Sequence, residues 1–141
     1  MGPGLKRIDL QAYAQAKIDD AILLLDNRRY SNAYYLAGYA VELGLKACIA
    51  AQISAETLPD KDFVRGNMQH DFGRLLGLAG LAGALKNEQD RDNTFAANWA
   101  IAAQWMPDAR YETSDPMSAQ LLVQAIADPT AGVLQWIKTH W

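Results

Sequence analysis

The chain has 141 residues, 50% hydrophobic and 21% charged, with 10 glycines and 5 prolines, which suits one globular domain over 1–141 and excludes a disordered or fibrous protein. A net charge of −3 leaves no global positive field to gather nucleic acid by counterion release, so any RNA contact must be local.

The opening decapeptide, MGPGLKRIDL, carries no apolar leader core. Asp9 then stands as the cap of a first helix running to about Asn27, with Leu10, Tyr13, Ala14, Ala21, Leu24 and Leu25 near helical spacing. After the break at NRRY, Ser31 or Asn32 can cap a second helix that continues to about Ile53 without proline. Its longest apolar-or-small run, Ala33 to Val41, falls far short of the roughly 20 residues that span a bilayer, so no membrane association is expected. The single cysteine, Cys48, reads as a small buried hydrophobe, and its isolation fits a reducing, cytoplasmic compartment.

Ser54 to Gln69 mixes turn formers with Pro59 and Gly66 and reads as the longest loop. A third helix is expected from His70 or Asp71 through Lys86. Its stripe of Gly73, Gly77, Gly80 and Ala84 costs up to ~1 kcal/mol per glycine in propensity, which close packing on the second helix would offset. A fourth helix is expected from about Glu88 to Met106, stopped by Pro107. Asp115 and Pro116 open a fifth, whose apolar positions stay in phase across Asp128 and Pro129. One kinked helix or two short ones both satisfy that pattern, and the phase favours the kink. Nothing alternates with period two, so the fold class is an all-α bundle of four to six helices.

The second helix carries a stripe of small side chains, Ala33, Ala37, Ala40, Gly44, Ala47 and Ala51, and roughly opposite it a second apolar face. A helix apolar on two sides is central or sits at an interface. Between the faces runs one polar stripe, Tyr35, Tyr39, Glu42 and Lys46, in which the acid precedes the base by one helical turn, the favourable order for an ion pair. Two readings stay open: an edge-exposed pair of small energetic value, or a carboxylate that charges a polar cleft on a buried helix.

The run AYYLAGYAVELGLKACIA, then HDFGRLL, and later Trp105 with Arg110, Tyr111 and Glu112, resembles the HEPN domain family. That family pairs an A-x-E-x-x-x-K-A second helix with an H-D-hydrophobic helix start and a late R-Y. The resemblance implies an up-and-down helical bundle that homodimerises through its long helices, and a protein partner of the nucleotidyltransferase type in a toxin–antitoxin pair. It also implies an alternative, because a large subset of the family are metal-independent ribonucleases with an Arg, four to six residues, then His. Arg65 and His70 match that spacing. In such an enzyme His70 would move a proton at the ribose, Arg65 would grip the phosphate, and Glu42 would support them. His70 equally fits the structural H-D helix start. A third reading is a nucleotide-binding module with Tyr35, Tyr39, Glu42, Lys46 and Arg110 lining its cleft. No metal-ligand cluster, phosphate-binding glycine loop or nucleophile elbow is found in the sequence, so neither a metal nor a cofactor is expected.

Overall fold

The structure, a computed structural model, describes residues 6–53 and 71–141. Within them lie seven α-helices and one 3-10 turn: α1 (Arg7–Asp26), α2 (Tyr30–Gln52), α3 (Phe72–Leu78), α4 (Ala82–Arg91), α5 (Asn93–Ala102), the turn Pro107–Tyr111, α6 (Pro116–Ala127) and α7 (Val133–Lys138). No strand occurs among the described residues, and no helix there is long and apolar enough to cross a membrane.

The two long helices form a hairpin. Arg28 takes a left-handed φ of 62°, which lets the Arg29 N–H reach back to the Leu24 carbonyl at 2.8 Å and the Arg28 N–H to Leu25 at 3.1 Å. These bonds close the last turn of α1 and satisfy carbonyls that a helix end leaves open. Leu10 and Ala14 near the start of α1 then meet Leu43 and Ala47 late in α2, as an antiparallel pair requires. Helix α2 is the hub: α1, α3, the 3-10 turn, α6 and α7 all pack on it. Its residues Ala40 to Leu45 are all buried, charged Glu42 included.

The small-residue stripe of α2 is used, but not by the expected glycine stripe. A Cβ placed on Gly44 would stand 3.0 Å from Ile137 and 3.3 Å from Leu134, so α7 is what approaches closely there. Gly77 has nothing within 4 Å of its Cβ position, and at Gly73 the one neighbour is the Asp71 carboxylate. The expected third helix is two helices, because Gly80 takes a φ of 73° and ends α3. The next start is also displaced: α5 begins at Asn93, where the Asp92 carboxylate accepts from the N–H groups of Thr94 and Phe95 at 3.0 and 3.1 Å.

The kink expected at Pro129 is instead a break. Asp128, which precedes the proline, has ψ 124°, outside the helical region that proline disfavours for its neighbour. Gly132 completes the turn where a side chain has no room, since a Cβ there would lie 2.3 Å from the Asp128 carbonyl oxygen. At the other end of α6 the expected cap holds, the Asp115 carboxylate accepting from the Ser118 N–H at 2.7 Å with Pro116 in the first turn.

Candidate functional site

The polar stripe of α2 faces an aromatic wall. Gly38 makes room for it: a Cβ at that position would be 2.2 Å from the indole carbons of Trp105. The Trp105 ring stacks on Phe72, with centroids 5.5 Å apart and planes 10° from parallel, and also lies against Tyr35 at 6.0 Å. Tyr35 in turn meets Tyr39 at 5.9 Å. The Trp105 Nε1–H is buried without a hydrogen-bond partner among the described residues, so the indole is held by its faces and not by its polar edge.

One turn beyond Gly38 stands Glu42, 1% exposed. Its Oε2 accepts from the Lys46 ammonium at 3.1 Å, and the Lys46 side chain keeps 20% exposure. The edge-exposed alternative is therefore overturned: the acid is interior, and the lysine stem carries its charge outward from there. Desolvation by burial, and then the Glu42 charge, push the Tyr39 phenol above its ordinary range. Burial does the same to Tyr34, helped by Glu112.

Arg110 and Tyr111 lie in the exposed 3-10 turn, with the guanidinium 4.7 Å from the centroid of the Tyr111 ring. The segment after them is tied down by a different residue: the Ser31 hydroxyl, expected as a helix cap, accepts from the Ser114 N–H at 2.9 Å. Arg65 and His70 lie outside the described residues. Cys48 is buried, donates weakly to the Ile137 carbonyl at 3.7 Å, and has its thiol pushed up to about 12 by desolvation. No group of three or more His, Cys, Asp or Glu stands close enough to hold a metal among the described residues.

Two grooves were not anticipated by motif. The first, about 430 Å³, has Phe95 and Trp136 as its apolar floor, with Asn87, Glu88, Arg91 and His140 around it. Arg91 is occupied there by Glu88, to which its Nε donates at 3.1 Å, and the His140 ring meets Trp136 edge-on at 5.0 Å. The second, about 500 Å³, runs between α1 and α6 and is mainly apolar. Its wall includes Asp128, whose carboxyl is held below the usual carboxylate range chiefly by the Thr130 N–H at 3.0 Å.

Comparison with protein-family models, curated proteins and solved structures found no match for this chain.

Proposed function

We propose that the chain is a HEPN-like helical module that homodimerises and acts with a protein partner, in a toxin–antitoxin-type pair with a nucleotidyltransferase. One observation carries the interaction half of this reading. Of the two long helices, α2 is sealed inside its own chain, whereas α1 keeps Ile8 68%, Tyr13 48% and Leu23 61% exposed. Large apolar side chains left in water along a helix that is otherwise well packed suit a protein contact better than they suit chemistry. These side chains support proposing α1 as the contact between copies, and a two-fold arrangement would let the same helix face serve both.

The polar groups that a nucleotide cleft would use have other company: Lys46 holds Glu42, Tyr35 and Tyr39 belong to the aromatic wall, and Arg110 stands over Tyr111. The nuclease alternative rests on Arg65 and His70 and draws no support from the described residues.

Light scattering at high micromolar concentration tests the reading. The expected result is a dimer that Leu23→Glu together with Ile8→Glu converts to monomer with unchanged helicity; a strict monomer in the unsubstituted chain would sink it.

A further inference from the structure

We propose that six aromatic side chains, Trp136, Trp99, Phe72, Trp105, Tyr35 and Tyr39, form a relay that carries one electron from the polar stripe of α2 to an oxidant in the groove at Trp136. The oxidant is a small one-electron acceptor of the oxyl or peroxyl radical class.

The rings make an unbroken line through the core. Trp136 meets Trp99 with centroids 6.2 Å apart, Trp99 meets Phe72 at 6.5 Å, and Phe72 stacks on Trp105 at 5.5 Å. Trp105 leads on to Tyr35 at 6.0 Å, and Tyr35 to Tyr39 at 5.9 Å. Every spacing lies within the range of ring contact. An electron crosses such contacts faster than it crosses a bundle through aliphatic side chains, because each ring shortens the gap to be tunnelled. Phe72 is too hard to oxidise to hold the hole, but its ring, 10° from parallel with that of Trp105, fills the space between two indoles.

The chemistry of the members sets the direction. Near neutral pH a phenol that sheds its proton on oxidation is easier to oxidise than an indole, so a hole made at Trp136 runs downhill to the tyrosines. Trp105 keeps the middle of the route open. Its Nε1–H is buried and finds no acceptor among the described residues. An oxidised indole there retains its proton and hands the hole on, where a deprotonated one would trap it as a neutral radical. At the far end, burial and then the Glu42 charge hold the proton on the resting Tyr39 phenol. The same carboxylate attracts a positive hole.

Both ends are reachable. Trp136 lines the groove of about 430 Å³, and Tyr39 is only half-buried. Charge and mass balance across the two. The Tyr39 phenol loses one electron to the relay and one proton to water and becomes a phenoxyl radical. In the groove, the oxyl or peroxyl radical gains one electron and one proton and leaves as a hydroxyl compound or a hydroperoxide. The indoles of the core are thereby spared lasting oxidation.

A photo-oxidant fixed at the groove tests the relay. Gln135 lines that groove, and Gln135→Cys offers a thiol for a ruthenium polypyridyl label, while Cys48, buried and with its thiol pushed up to about 12, stays unlabelled. Flash-quench oxidation of the label on the full chain, followed by transient absorption, separates indolyl from phenoxyl radicals. The expected result is a phenoxyl signal that forms at a rate independent of protein concentration. Tyr35→Phe together with Tyr39→Phe should abolish it and leave a long-lived indolyl radical, with helicity unchanged because both rings are kept. Trp99→Phe should slow it tenfold or more, and Tyr111→Phe should leave it as it is. No phenoxyl signal, a signal that survives the Tyr35 and Tyr39 substitutions or disappears with Tyr111→Phe, or an unchanged rate in Trp99→Phe overturns the relay.

Discussion

Trp105 occupies the space that any side chain larger than hydrogen would need at position 38: its indole carbons come within 2.2 Å of the Cβ site of Gly38. The indole is 2% exposed, stacked on Phe72 and in contact with Tyr35, so it has little room to retreat. Gly38→Ala should therefore destabilise the fold by about 2 kcal/mol or more, even after the gain of up to ~1 kcal/mol that alanine brings to a helix. Gly77→Ala, with open space around its Cβ, is the matched control and should be neutral or stabilising. Urea denaturation of the two variants checks the contrast.

The left-handed Arg28 that closes α1 carries a conformational cost that glycine would not. Arg28→Gly should raise stability by about 1 kcal/mol if the guanidinium does nothing else in the fold. The same measurement on Gly80→Ala, at φ 73°, should run the other way.

Glu42 is an interior charge that accepts a hydrogen bond from the Lys46 ammonium. Removing one member of such a pair is costlier than the pair is worth, because the interior charge that stays behind loses part of its compensation. Lys46→Ala is expected to lower stability by about 1–3 kcal/mol, and Lys46→Arg to recover most of the loss. Thermal melts of both variants test this; equal destabilisation by Ala and Arg would instead point to crowding around the lysine stem.

Cys48, with its thiol pushed up to about 12 and its side chain buried, is almost all thiol at pH 8. Alkylation should be slow in the folded protein and become rapid only in denaturant, so labelling rate reports opening of the α2–α7 contact.

The helix caps should give a signed pH effect. The Asp115 carboxyl is held below the usual carboxylate range, chiefly by the Ser118 N–H, and that of Asp128 chiefly by the Thr130 N–H. A depressed folded-state value means the stabilisation is complete above the unfolded carboxylate range and fades as pH falls through the lower folded one. The melting temperature of Asp115→Asn should thus fall below that of the unsubstituted chain at pH 6, and the two should converge toward pH 2.

How much of this can be read from the residues alone differs by element. Helix α2 is legible because uninterrupted helix formers and two apolar faces leave one solution, and its interior position follows from having no polar side wide enough to face water. Glu42 is placed on the correct stripe but not at its depth, since burial of α2 is decided by helices that arrive from elsewhere in the chain. The glycines of α3 are ambiguous because a small residue serves equally as a packing surface or as a helix end, and only the backbone at Gly80 tells which. At Pro129 the conserved phase of the apolar positions argued for continuity, yet Asp128 is forced out of the helical region locally. The two grooves are invisible to motif reasoning. Arg91 and His140, like Ile22 and Asp128, are far apart in sequence and become neighbours only through packing.

Because α2 is gripped by helices drawn from both before and after it in the chain, α1, α3, α6 and α7 share one central partner. Losing α6 or α7 strips the same central rod that losing α1 does. Such a wiring couples distant segments into one all-or-none transition, so an insult as far away as Trp136 or Leu122 should be felt as weakened protection of the amide hydrogens of Val41 and Leu45. Through the rod in the middle, the helices packed on it, α1, α3, α6 and α7, act together in deciding whether the protein stays folded.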